Sequence, residues 1–296
     1  MKRRSGALLA AVVPVVFTGV THSSMPADSP TVPSVDSKAD PTSAADSLED
    51  WWFPVGERME YSVTWGGARI GRSSLTVEAI DTIAGRPSYR AVLETAGGPP
   101  FYRLEDRLTS WIQPEPFATV RFDQKLRQGG YRRDRRHQMD LEASTYTRYD
   151  LRDDRYVAHD EEADVDIPPG ALDEVAYFYF VRLSELEVGK RYEYDLYFKE
   201  DGNPVVLEVL RRERIRVPAG TFNTIVVRPI IRTSGMFSEG GEAELYVTDD
   251  ERRIPVRVHT RMPIGTGNFY LTSYDPGAGG ELIDPASHTS GDATRP

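Results

Sequence analysis

The sequence predicts a mainly β protein: a large curved antiparallel sheet or open β-barrel carrying one main α-helix. Three observations lead there. Apolar residues recur at every second position in run after run, the period of a strand with one buried face. Turns bearing Gly, Pro, Asn and Asp separate the runs. Only Leu172 to Leu186 steps its apolar residues by three and four, as a helix does.

The first strand is expected over Arg58 to Trp65, with Met59, Tyr61, Val63 and Trp65 on one face. Gly66-Gly67 turns the chain into Ser73 to Ile80, and Ala84-Gly85-Arg86-Pro87 turns it again into Tyr89 to Thr95. Leu104 to Ile112 and Thr119 to Arg127 follow, separated by Gln113-Pro114-Glu115-Pro116, where two prolines remove backbone donors. Tyr131 to His137 is the most basic run of the chain. It reads either as an anion or nucleic-acid contact strip or as a solvated strand whose arginines pair with Glu142, Asp150, Asp153 and Asp154, and a formal net charge of -10 favours the second. Thr145 to Asp150 and Tyr156 to His159 continue the ladder, and Asp160 to Asp166 is an acidic loop.

After Pro168-Pro169-Gly170, the residues Leu172, Val175, Ala176, Tyr179, Leu183 and Leu186 form a helical stripe that Phe178 and Phe180 widen and Gly189 ends. So aromatic a helix is expected to pack against or inside a curved sheet. Tyr192 to Lys199 is expected to be a strand turning as a hairpin at Glu200-Asp201-Gly202-Asn203. Val205 to Val217 and Thr221 to Thr233 are two long strands joined by Pro218-Ala219-Gly220. Met236 to Gly241 loops into a closing meander, Glu242 to Thr248, Ile254 to Val258 and Thr266 to Tyr274, whose Leu245, Val256 and Val258 are expected to face the helix.

At 296 residues and 39% hydrophobic, the chain is long and apolar enough to bury a sizeable core in one domain. That domain is expected over residues 51–275. Residues 1–27 read as a signal peptide, with Lys2, Arg3 and Arg4 ahead of an apolar stretch from Gly6 to Val20 that is too short for a comfortable membrane span. Residues 28–50 and 276–296 are poor in large apolar side chains and read as a disordered linker and tail. Export follows as an expectation, with peripheral membrane association open. The net charge of -10 argues against a nucleic-acid partner, because tracking phosphates requires a cationic excess. The absence of cysteine excludes disulfides, thiol catalysis and Cys-ligated zinc.

Catalytic patterns are thin. There is no Gly-x-Ser-x-Gly elbow, and His137, His159 and His259 each sit alone on a strand without a second His at ligand spacing. Asp160-Glu161-Glu162, Asp164 and Asp166 lack the Gly and terminal Glu of a calcium loop. With 46 acidic residues, no particular carboxylate pair stands out for glycoside hydrolysis. No cofactor and no metal is expected. Trp51, Trp52, Trp65, Tyr102, Trp111, Tyr131, Tyr177 and Tyr179 either line a cavity for a lipid or sugar or form the core and edge girdle of the sheet.

Phe53-Pro54-Val55-Gly56-Glu57 with Tyr61 and Trp65-Gly66-Gly67, Leu104-Glu105-Asp106-Arg107, Leu172-Asp173, Val217-Pro218-Ala219-Gly220-Thr221-Phe222, and Leu245-Tyr246-Val247 before Arg253-Ile254-Pro255-Val256 occur in an order that resembles an exported bacterial family, domain of unknown function 3108. The resemblance spans Phe53 to Tyr274. It implies a mainly antiparallel β protein of the bacterial envelope, in the periplasm or at the cell surface, and brings no catalytic residues with it. The Leu-Tyr-Val and Arg-Ile-Pro-Val-Arg hairpin is also similar to one in periplasmic lipoprotein carriers, whose open half-barrel wraps a hydrophobic cavity around helices. The expectation is a non-catalytic binding module for an apolar or glycan ligand, in a cavity between sheet and helix walled by Trp65, Trp111, Tyr131 and Tyr179. The alternatives are an assembly protein of the envelope that pairs a sheet edge with a protein partner and a hydrolase.

Overall fold

The computed structural model describes residues 53–98, 102–231, 242–262 and 265–278. The expected signal peptide and linker, Trp51, Trp52, the Met236 to Gly241 loop and the tail beyond residue 278 lie outside them. The first residues of that expected tail are ordered, Pro276 ending the last strand and Ala278 N donating to Val55 O at 3.1 Å. Eight strands run in sequence: β1 (Glu57–Trp65), β2 (Ala68–Ile83), β3 (Arg86–Gly97), β4 (Leu104–Gln113), β5 (Ala118–Gln128), β6 (Tyr131–Asp140), β7 (Thr145–Arg152) and β8 (Arg155–Ala158). A short β9 (Val165–Asp166) and the helix α1 (Glu174–Leu183) come next. The chain then adds β10 (Arg191–Tyr194), β11 (Val205–Val217), β12 (Gly220–Ile230), β13 (Glu242–Thr248), β14 (Pro255–Met262) and β15 (Gly265–Pro276).

All belong to one sheet, in the order β10-β11-β12-β13-β14-β15-β1-β2-β3-β4-β5-β6-β7-β8, with β9 on β7. The path ends at β8 and β10, which do not pair with each other, so the sheet is open. Two meanders of consecutive strands are joined where β1 lies antiparallel to β15, from Glu57 opposite Pro276 to Trp65 opposite Gly267. Among the described residues no helix is long and apolar enough to cross a membrane.

The two-residue period decides which face is which. Met59, Tyr61 and Val63 of β1, Leu75 and Val77 of β2, and Leu108 and Ile112 of β4 point inward and are buried. Their alternates carry charge on the outer face, where ion pairs cross the strands: Arg107 with Glu78 at 2.8 Å, Arg90 with Asp81 at 3.1 Å, Arg136 with Asp123 at 2.9 Å and Arg127 with Asp134 at 2.6 Å. Of the partners expected for the basic run, only Asp150 takes one of its arginines, Arg135 at 3.1 Å. Glu142 pairs with Arg86 instead. The difference is one of register: a cross-strand neighbour on β5 is nearer than a carboxylate in the following turn.

The helix lies inside the curve and is buried from Glu174 through Arg182, so its apolar stripe widens to the full circumference. It begins later than the apolar spacing suggests. Leu172 is extended and makes a parallel bridge with Tyr197, its N–H donating to Leu196 O at 2.6 Å and its carbonyl accepting from Phe198 N at 3.2 Å. Asp173 then caps the helix, accepting from Val175 N at 2.7 Å and Ala176 N at 3.0 Å. At the other end Ser184 turns extended, five residues before Gly189, and Leu186 is buried beyond the helix.

The expected strand from Tyr192 to Lys199 accordingly ends at Tyr194. Its continuation leaves β10 for Leu172, and Phe198 packs on His137 at 5.0 Å, Tyr146 at 5.4 Å and Phe122 at 6.3 Å, so the two ends of the sheet approach each other across the interior. The turn at 200–203 is a 3-10 turn rather than a two-residue hairpin. Asn203 staples it, Oδ1 accepting from Leu196 N and Tyr197 N at 3.1 and 2.9 Å. A Cβ on Gly202 would stand 2.1 Å from the Tyr197 ring.

Candidate functional site

The space beneath the helix, where a ligand cavity was expected, is occupied by side chains. Tyr179 is fully buried with its ring 4.9 Å from that of Phe53, and Phe180 meets Tyr194 at 5.0 Å. Arg182 lies 4.1 Å over the Phe53 ring and donates to both carboxylate oxygens of Glu57 at 2.8 Å, while Tyr274 Oη donates to Glu57 Oε1 at 3.1 Å. Leu245, Val256 and Val258 do face inward, as part of this packed core.

The polar groups in this interior serve the helix. Asp173 accepts from Ser110 Oγ at 2.5 Å and Thr119 Oγ1 at 3.0 Å besides its two backbone donors. Burial pushes its carboxyl up to about 6, against the pull of those hydrogen bonds. Glu174 receives Tyr197 Oη on Oε1 at 2.9 Å, while Oε2 is buried without a hydrogen-bond partner. Burial, and then the neighbouring Asp173 charge, push the Glu174 carboxyl up to about 7. His137 is buried among Phe122, Tyr146 and Phe198 with neither ring nitrogen hydrogen-bonded. Burial holds its imidazole well below the usual range, and Lys199, Arg135 and Arg148 add to that. A neutral ring in an aromatic cage is poorly placed as a general base toward solvent.

The four aromatics expected to wall one cavity are not brought together. Tyr179 is in the core. Trp111 is 8% exposed on the outer face, its Nε1 donating to Asp81 Oδ2 at 2.7 Å and the Arg121 guanidinium 4.1 Å above its ring. Tyr131 is 40% exposed at the start of β6 beside Arg133, and Trp65 ends β1 half-buried against Gly267, where a Cβ would come within 3.2 Å of its ring.

What the sheet does offer is a groove of about 500 Å³ across β1 to β5. Register builds it. Arg72, Ala96 and Glu105 lie side by side in one row, and Ser74, Glu94, Arg107 and Lys125 in the next. Small side chains at Ser74 and Ala96 leave a trough between longer neighbours, to which Arg58, Ser73, Thr95, Asp106 and Arg127 also contribute. Five cations thus face three carboxylates. No aromatic ring is among the described lining residues, so the groove has no stacking face and recognises through hydrogen bonds and charge. Sequence reasoning missed it because its residues are spread from position 58 to 127 and become neighbours only through pairing.

A solved structure described as a beta-barrel-like protein of domain of unknown function DUF1849, from Brucella abortus, is similar to this chain with a TM-score of 0.50 at 10% identity, over 78% of this chain and 99% of that one. The likeness is one of a beta-barrel-like fold. Two more distant structures, a candidate lipoprotein from Parabacteroides distasonis (TM-score 0.32, 12% identity, 76% and 98% covered) and a candidate exported protein with a YmcC-like fold from Bacteroides fragilis (TM-score 0.28, 12% identity, 76% and 98% covered), carry no argument at those scores. The comparison with curated proteins returned no match. The model of the family described as protein of unknown function, DUF3108, matches residues 60–272. With the order of motifs and the single open antiparallel sheet, that match over most of the sequence makes this chain a member of the DUF3108 family.

Proposed function

We propose that this protein is a non-catalytic binding module of the cell envelope, exported to the periplasm or cell surface, which holds a glycan in the groove across β1 to β5. The observation that carries the reading is the groove itself, a trough of about 500 Å³ in which Ser, Thr, Glu, Asp, Arg and Lys side chains alternate as donors and acceptors. Sugar hydroxyls both donate and accept, and planar carboxylate and guanidinium groups match adjacent pairs of them. The filled interior supports this polar ligand over the apolar one. The basic residues 2–4 ahead of an apolar run support export.

Titration of isotope-labelled protein with soluble oligosaccharides, followed by amide NMR, tests the reading. Shifts gathered on Ser73, Ser74, Thr95, Ala96 and Arg107 are the expected result. A panel that moves none of these amides overturns it.

A second reading rests on the open edge. All four residues of β8 are exposed, and Tyr156 and Val157 are 37% and 43% accessible there. Such an edge can accept a strand from a protein partner. Crosslinking that captures a protein through β8 while no sugar perturbs the groove decides for it.

A further inference from the structure

The groove holds more positive charge than its own carboxylates neutralise. Glu94 bonds Arg107 at 2.5 Å, and Glu105 bonds Arg103 outside the trough. Asp106 is turned to the backbone N–H of Arg127 and the side chain of Gln128, at 3.0 and 2.6 Å. Two more cations have partners elsewhere, Arg58 in Glu60 at 3.0 Å and Arg127 in Asp134 at 2.6 Å. Of the five cations, Arg72 and Lys125 make no ion pair within 4.0 Å among the described residues. Arg72 is near enough to Glu60 to help lower its carboxyl, and Lys125 lies across from Asp134, which Arg127 already holds.

Their placement matters as much as their number. Arg72 stands on β2 and Lys125 on β5, three strand spacings apart, or about 14 Å. Ala96 lies beside Arg72 and Ser74 two residues along the same strand as Arg72, and the Glu94–Arg107 ion pair and Glu105 stand between these and Lys125. One small anion cannot touch both, whereas a chain of sugar rings with charged groups along it can.

Resting on the groove as the binding site, we infer that its ligand is an acidic oligosaccharide whose carboxylate or phosphate groups are engaged by Arg72 at one wall and Lys125 at the other.

Calorimetric titrations with tetragalacturonate, a phosphorylated maltotetraose and neutral maltotetraose test this. At least one acidic sugar is expected to bind about tenfold or more tighter than the neutral one, and to weaken as salt is raised. Arg72→Ala and Lys125→Ala should each lose about tenfold toward the acidic sugar, the worth of one charge-assisted hydrogen bond. Each is expected to lose several-fold less toward the neutral sugar than toward the acidic one, and to leave the thermal midpoint unchanged, since both side chains are exposed. Equal affinity for acidic and neutral sugars overturns the inference and leaves the groove as a glycan site. Acidic binding that is unchanged in both variants also overturns it. If none of the three sugars binds, and NMR shows no groove shift with any other oligosaccharide, the glycan reading itself falls.

Discussion

A carboxyl group buried beside a second carboxylate carries its ionisation cost into the stability of the whole fold, and Glu174 is in that position. Its folded value of about 7 is raised from 4.5, the value expected of the unfolded chain. Between those two values the native state holds a proton that the unfolded state has released, so stability falls as pH rises through that window and levels off above it. Glu174→Gln should therefore be more stable than the parent at pH 8, by roughly 1–3 kcal/mol, with the difference vanishing below about pH 4.5. Urea unfolding at several pH values measures this, and a constant offset would show that the Glu174 carboxyl titrates alike in the folded and unfolded states. Nothing in the sequence marks Glu174, since a glutamate at the first helical position is ordinarily a solvated one. Tyr179 is the opposite case. Its place in the apolar stripe was legible from spacing alone, but its neighbours came from β1 and the segment before it and were not.

The helix shows how far local pattern reaches. Its existence and aromatic character could be read from the steps of three and four, because that period is set by the backbone. Its start could not, because Leu172 is claimed by a parallel bridge to Tyr197, a contact made by tertiary structure. The cap is the decisive residue at this scale. Asp173→Ala would leave two helix N–H groups and the hydroxyls of Ser110 and Thr119 without their acceptor in a dry site. A loss of at least about 2 kcal/mol is expected, more than an exposed cap costs. Asp173→Asn keeps an acceptor oxygen and should lose less, as the denaturation midpoints of the two variants would show. The same tertiary competition explains the hairpin that was expected at Glu200 to Asn203: the Gly and Asn signals are real, but Gly202 is there to admit the Tyr197 ring and Asn203 to bind the backbone behind it.

At the scale of the molecule, the antiparallel class and the curved sheet around a helix were legible, and the groove was not, because periodicity tells faces apart without telling which strands adjoin. The Glu57–Arg182 pair ties the two layers together, linking β1 to the end of the helix with both side chains 1% exposed. Arg182→Met alone would strand the Glu57 charge in the core and should cost about 3–5 kcal/mol, whereas Glu57→Gln with Arg182→Met should cost much less. Chemical denaturation of the single and double variants separates a buried charge from a lost contact.

The seam between β1 and β15 also has a consequence in time. Glu60 and Ser273 are bonded across it although 213 residues separate them along the chain. A ribosome delivers the first of these strands long before the last, so throughout synthesis β1 can pair only with β2, and its other side has no native neighbour to receive. Closing so long a loop is slow. The middle of the finished sheet is thus the last part of it to be assembled, and until then the unmatched side of β1 is where the nascent chain is most open to pairing with another copy of itself.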